Sequence, residues 1–348
     1  MIVYIVFHLS VVLSAYGLTV NFQNDVVREI RLRTTSGRII TFLDSGILIS
    51  TSLIIVVILI TNFRHLSRYL KLLSEVDEIL KYTSKRNSDT IILTGILLFT
   101  GFTFMADICI WSSLLQKHQI MSYALHQLPI YSMYYIHLLV ILNFHFLVKL
   151  LISRVAFLSG LLQDPCRIRV YNFSVLTECI IGDQLQNFSD SQVIDDMVHL
   201  YDLMYEASLS LNNYYGIILL FALVGCLLHL LVTPFDLVLE IFHKHYSFIF
   251  LQTIWMFGHV LKLFLIVNPC EEISQEVENL SAMLIRRSWT DRRFDMNQLE
   301  IITMQIFHCR IRFTAAGLTE INRRIVTSIA AGVTTYLIIL IQFNTTER

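Results

Sequence analysis

Apolar residues gather in seven blocks along this chain, at about 1–20, 41–62, 91–115, 129–151, 213–233, 247–267 and 326–343. A bilayer's hydrocarbon core is about 30 Å thick and takes about 20 helical residues to cross. Each block is close to that length. The pattern predicts an all-α, polytopic membrane protein with seven transmembrane helices, organised as one domain over residues 1–348. The first block opens at Met1 with no charged leader and no clear small-residue cleavage site, so it reads as a span rather than a signal peptide.

Helical periodicity continues into the polar segments between blocks. Ser189-x-x-Gln192 has the form of a capping box. Val193, Met197, Leu200, Met204 and Leu211 then share one face. A helix running from about 190 to 233 is roughly 65 Å long at 1.5 Å per residue, so half of it must project from the membrane. The second span is expected to run on through Leu66, Leu70, Leu73 and Val76, and the fourth to a break at Asp164-Pro165. Pro234 and Asn268-Pro269 are expected to end the fifth and sixth spans. Leu299, Ile302, Ile306, Cys309 and Phe313 recur at spacings of three and four, a heptad-like seam. The seam reads either as packing within a cytosolic bundle or as a contact between subunits. The extended segments, about 63–88, 152–212 and 268–325, are expected to form a cytosolic anchor.

Composition agrees with the pattern. Hydrophobic residues make up 55% of the chain and charged residues 15%, against roughly 25% charged in soluble domains. A net charge of -1 argues against a nucleic-acid partner. Lys and Arg are unevenly placed. One side holds Arg64, Arg68, Lys71, Lys81, Lys85 and Arg86, then Lys149, Arg154, Arg167 and Arg169. It also holds Arg286, Arg287, Arg292, Arg293, Arg310, Arg312, Arg323 and Arg324. The other side holds Arg28, Arg31, Arg33, Arg38, Lys117, Lys244 and Arg348. The positive-inside rule then places the N-terminus in the cytosol and the C-terminus outside. The four basic residues of the first outer loop run against that bias.

This orientation is the reverse of a G-protein-coupled heptahelical chemoreceptor, the alternative class. The third span ends in Trp111-Ser112-Ser113 with no Asp-Arg-Tyr-like cluster, and the seventh has no Asn-Pro-x-x-Tyr. The six cysteines are all predicted in membrane or cytosol, so no disulfide is expected. Sequons at Asn172, Asn187 and Asn279 are expected to be cytosolic and unused. The one at Asn344 faces outward, close to the membrane. Enzyme motifs are missing: there is no His-x-x-x-His, Cys-x-x-Cys, Walker or nucleophile-elbow sequence. His243 and His245 flank Lys244, but two histidines do not make a metal site. Neither a metal nor any other cofactor is expected.

Candidate ligand contacts are the polar and aromatic residues in the outer halves of the spans. Asp107 and Trp111 lie four apart on one face of the third span, and an ionisable group inside a span is a site hypothesis by default. Tyr134 and His137 in the fourth span, His229 in the fifth, and Gln252 and Trp255 in the sixth complete the set, with Tyr131 and Tyr135 nearby. Each has a structural alternative. Asp107 also reads as a partner of His137 or His229, Tyr134 and Tyr135 as interfacial belt residues, Trp255 as core, and His229 as a satisfied buried histidine. Lys262 reads as snorkelling to the cytosolic interface.

The last block ends Thr335-Tyr336-Leu337-Ile338-Ile339-Leu340-Ile341-Gln342-Phe343. Thr-Tyr, five aliphatic residues and Gln-Phe resemble the signature closing the insect gustatory receptors. Phe313-Thr314-Ala315-Ala316-Gly317-Leu318 and Asn322-Arg323 resemble the run that precedes it, and Leu211-Asn212 with Tyr215-Gly216 resembles the family's entry to the fifth span. The likeness covers about 300–343, with weaker support over 190–233. It implies a ligand-gated, non-selective cation channel at the plasma membrane of chemosensory neurons. Such a channel works as a homo- or heterotetramer with other gustatory receptors, or as a subunit needing a co-receptor. Its partners are membrane lipids, permeating cations and a small-molecule tastant, with a bitter plant compound placed ahead of a sugar such as fructose. The resemblance places the ligand pocket among the spans on the extracellular side, and Gln342 and Phe343 near the extracellular gate. Helical spacing adds Ile339 to that face. It also implies a cytosolic segment ahead of the first span, so that span is expected to be shortened or truncated.

Overall fold

A computed structural model describes residues 35–80, 89–115, 117–163, 190–243, 246–290 and 296–346, together with Tyr16. The first apolar block lies outside these residues apart from Tyr16. So do Ser189 of the expected capping box and the sequons at Asn172 and Asn187.

The architecture is all-helical apart from one small hairpin. The helices are α1 (Thr35–Thr61), α2 (Phe63–Leu80), α3 (Asp89–Leu114), α4 (Lys117–Gln163), α5 (Asp190–His243), α6 (Tyr246–Thr290), α7 (Met296–His308) and α8 (Arg323–Thr346). The six later apolar blocks fall on α1, α3, α4, α5, α6 and α8. Among the described residues four helices are long and apolar enough to cross a membrane, or five with the bent pair α1–α2. At 1.5 Å per residue, the 54 residues of α5 extend about 80 Å. The hydrophobic core of a bilayer covers well under half of that.

α2 packs by a single stripe. Its buried residues are Tyr69, Leu73, Val76 and Leu80, spaced four, three and four, a single stripe pressed against α5. The facing stripe of α5 includes Met197, Leu200, Met204 and Leu211, all buried. Tyr69 donates to the Leu147 carbonyl of α4 at 2.6 Å. Arg154 of α4 makes a two-pronged pair with Asp77 of α2, at 2.9 and 2.8 Å, with its own side chain only 5% exposed.

The structure corrects four expectations about breaks. α1 does not run straight into α2: the axis bends by 58° at Asn62. There Thr61 Oγ1 donates back to the Val57 carbonyl at 3.0 Å, a local bond that competes with the regular ladder. Pro234 does not end α5, which continues to His243, and Pro269 does not end α6, which continues to Thr290. A proline frees the carbonyl four residues earlier. For Pro269 that carbonyl is Leu265, and His145 Nδ1 of α4 donates to it at 3.0 Å. Re-satisfying a freed carbonyl from a neighbouring helix is how prolines persist in membrane helices. Finally, the seam from Leu299 is not one helix. α7 stops at His308, and Cys309 and Phe313 follow in non-helical chain. Ile302, Ile306 and Phe313 are nevertheless buried.

The two-stranded hairpin that joins α7 to α8 has no counterpart among the expectations from sequence. Thr314 pairs with Glu320 and Ala315 with Thr319. Ala316 and Gly317 both have positive φ, 53° and 73°, as the central pair of a type I′ turn requires. Asn212 of α5 holds the hairpin by accepting from the Thr314 amide at 2.8 Å and donating to Thr314 Oγ1 at 3.1 Å. Asn322 then caps α8, its Oδ1 accepting from the Arg324 amide at 3.0 Å.

Candidate functional site

A cavity opens between α3, α4 and α6. Its walls are Ile96, Phe99, Thr100, Thr103 and Phe104 of α3 and Tyr134 and Leu138 of α4. From α6 come Ile254, Trp255, Gly258, His259, Leu261 and Lys262. The volume is about 20 Å³, room for about one water molecule. The two threonines spend their hydroxyls on their own helix: Thr100 donates to the Ile96 carbonyl and Thr103 to that of Phe99, each at 3.0 Å. The polar groups left to meet a ligand are therefore few, and most of the wall is aromatic or aliphatic.

The aromatic wall is continuous. Phe104 stacks on Tyr131 with centroids 4.6 Å apart, and Trp255 lies 5.7 Å from Phe104 and 5.0 Å from Tyr134. Offset and edge contacts of this kind favour a fixed shape beyond simple burial. Trp255, His259 and Lys262 recur at spacings of four and three, so one stripe of α6 faces the cavity. His259 stacks nearly parallel on His229 of α5, centroids 4.4 Å apart and planes 14° from parallel. Lys262 Nζ sits 4.9 Å from the centre of the Tyr134 ring, a cation–π arrangement. This corrects the expectation that Lys262 reaches away to the cytosolic interface.

The predicted ligand residues divide. Tyr134 and Trp255 line the cavity, and His229 packs against its wall through Tyr134 and His259. Asp107 lies outside the lining and accepts a short hydrogen bond from Tyr131. His137 faces α1, with Nε2 2.8 Å from Ser52 Oγ and 3.3 Å from Thr51 Oγ1. Trp111 lies in a cluster with Leu115, Tyr123, Phe248 and Leu251, against which Trp255 of the cavity wall also packs. Gln252 is half-buried on α6. Sequence reasoning misses His259. The signal that could have found it is its place between Trp255 and Lys262 on one helical stripe.

On α8, Tyr336 and Ile339 are exposed on the single chain, as are Thr335 and Gln342, and Phe343 follows on the same helix. Thr335 Oγ1 donates to the Ala331 carbonyl at 2.9 Å. Among the described residues no three His, Cys, Asp or Glu side chains converge as a metal site.

An all-helical polytopic membrane protein with an aromatic cavity between its spans defines the class. A family model described as 7tm Chemosensory receptor matches residues 1–347, and the chain belongs to that family. Among curated proteins it is similar to the gustatory receptor for sugar taste 43a of Drosophila melanogaster. That match is 35% identical over 153 residues, covering 39% of this chain and 33% of that protein. It is also similar to the putative gustatory receptor 28b of the same species, 26% identical over 166 residues, or 44% of this chain and 35% of that protein. The matched regions thus span about a third of these relatives' length. Among solved structures the fold is shared with the insect olfactory receptor OR5 from Machilis hrabei. The TM-score is 0.61 at 12% identity, covering 96% of this chain and 88% of that one. The same receptor in complex with eugenol gives 0.60 at 11% identity.

Proposed function

We propose that this chain is a gustatory receptor subunit acting as a ligand-gated, non-selective cation channel of the plasma membrane. Membership of the chemosensory receptor family supports the receptor reading. The single observation that carries the channel reading is α8. This apolar helix ends in the gustatory motif and, on one chain, leaves Tyr336, Ile338 and Ile339 exposed. A helix lining a shared axis in a tetramer has this character, with an apolar constriction that expels water and a polar residue beside it. In this reading Ile339, Gln342 and Phe343 form the gate, seven spans cross the membrane, the C-terminus lies outside, and the projecting helices anchor four subunits in the cytosol.

The tastant binds between α3, α4 and α6. The cavity is far smaller than the ~300 Å³ or more of a drug-sized pocket, so a tastant must part the aromatic wall. That movement gives the ligand unequal affinity for two states, the only source of energy for opening the gate. Apolar walls suit the bitter plant compound placed first from the sequence. The likeness to a receptor for sugar taste supports the sugar reading placed second.

The test has two parts. An epitope tag after Arg348 should stain on live, unpermeabilised cells. Currents should then appear with fructose or with a bitter panel, and Gln342→Ala should change gating or permeation without lowering surface staining. A tag reached only after permeabilisation, in cells with surface protein, overturns both the topology and the pore assignment.

A further inference from the structure

The cavity holds a feature that its apolar walls do not explain. His259 is 3% exposed, and its Nδ1 is buried without a hydrogen-bond partner. It lines the cavity one turn from Lys262. A buried polar atom without a partner is rare and asks for a reason. An ammonium inside a span is expensive and marks function by default. His229, stacked on His259, adds another basic ring behind the wall.

We infer that the cavity takes a ligand with an apolar ring and a carboxylate, the ring against Trp255 and Phe104 and the carboxylate on Lys262 and His259. This rests on the proposal that the cavity is the tastant site and adds the charge of the ligand. Lys262 supplies an N–H donor and positive charge, and His259 supplies a second donor when Nδ1 carries the proton. Charge-assisted hydrogen bonds of this kind are about twice as strong as neutral ones, and a water-poor cavity strengthens them further. A neutral ligand of the same shape gains the ring contacts and loses the anchor. Tyr134, under the Lys262 ammonium, keeps that side chain over the cavity.

The experiment uses benzoate and its neutral isostere benzamide on the purified full chain in detergent. Binding is read from Trp255 fluorescence in a Trp111→Phe, Trp289→Phe background and, in parallel, as current in cells. Benzoate is expected to bind at least tenfold more tightly than benzamide. Lys262→Met should remove that preference, and Lys262→Arg, which keeps the charge, should retain most of it. His259→Phe should weaken benzoate severalfold and leave benzamide unchanged. Equal binding of the two probes, no benzoate binding, or a preference that survives Lys262→Met overturns the inference. Benzoate binding without current leaves the ligand class standing and removes the channel reading. Current with fructose but no benzoate binding does the reverse.

Discussion

The hydrogen bond from His145 to the Leu265 carbonyl answers a specific need. Pro269 lacks the amide that would otherwise reach that carbonyl, and α4 supplies a donor in its place as α6 continues. His145→Phe keeps a ring and removes the donor. It is expected to cost about 1–3 kcal/mol, the penalty for leaving a buried acceptor unpaired, measured as a lower Tm in detergent. Arg154 and Asp77 make a similar case. Asp77→Leu takes the carboxylate from a guanidinium side chain that is 5% exposed. With Asp77 itself one-third open, the loss is expected at about 2 kcal/mol, below the range for fully buried pairs. The double change Arg154→Met, Asp77→Leu should destabilise less than Asp77→Leu alone. Two tyrosines, one on α2 and one on α5, set an alkaline limit. Burial pushes the Tyr69 and Tyr201 phenols above the usual tyrosine value of 10.0. The folded state therefore holds its phenol protons where the unfolded chain has released them. Stability is unaffected by these groups below about pH 10 and falls as pH rises beyond it, which a pH series of thermal melts would read. In Tyr69→Phe that alkaline decline should be shallower.

Between helices, the hairpin before α8 makes a close backbone approach to α5. A Cβ on Gly216 would meet the Ala316 amide nitrogen at 3.3 Å and the Thr314 carbonyl oxygen at 3.5 Å. Glycine at this point of α5 lets the hairpin lie directly on the helix. Gly216→Ala must push the hairpin away and lengthen the Asn212–Thr314 bonds. The expected loss is about 1–2 kcal/mol, of the order seen when a packed site is overfilled. Since the hairpin leads into α8, it should also shift the dose dependence of any current. Glu271 of α6 holds the other side of this junction, accepting from the Arg323 amide at 3.2 Å. Its neighbour Glu272 pairs with Lys149 of α4 at 2.5 Å. The start of α8 is thus tied to α5 through the hairpin and to α6 through Glu271.

Across the whole molecule, α8 leaves Tyr336, Ile338 and Ile339 exposed on the single chain. If four copies place it around an axis, Ile339→Cys in a Cys109→Ser background should be modified by a thiol reagent only while the ligand is present, and current should fall as it reacts. Modification with no effect on current would remove Ile339 from the pore.

The sequence by itself determined the helical class, the placement of the apolar blocks and the family. Hydrophobic runs near 20 residues, a charge imbalance and a nine-residue terminal motif are local signals that need no folding to be read. The buried stripe Met197, Leu200, Met204 and Leu211 was legible for the same reason, since a period of about 3.6 belongs to one helix. Tertiary structure decided what depends on neighbours. Pro234 and Pro269 looked like ends because a proline breaks an isolated helix. His145, far from Pro269 along the chain, could not be assigned to its relief from the sequence. Asp107 and Trp111 share a helical face, but the side chains that meet them could not be read from it. Tyr131 takes the carboxylate, and Tyr123 and Phe248 pack on the indole. His259 and Lys262 became a candidate pair only when packing turned their stripe of α6 toward α3 and α4. Which way a helix faces is set by the partners that cover it, and that information is spread over the whole chain.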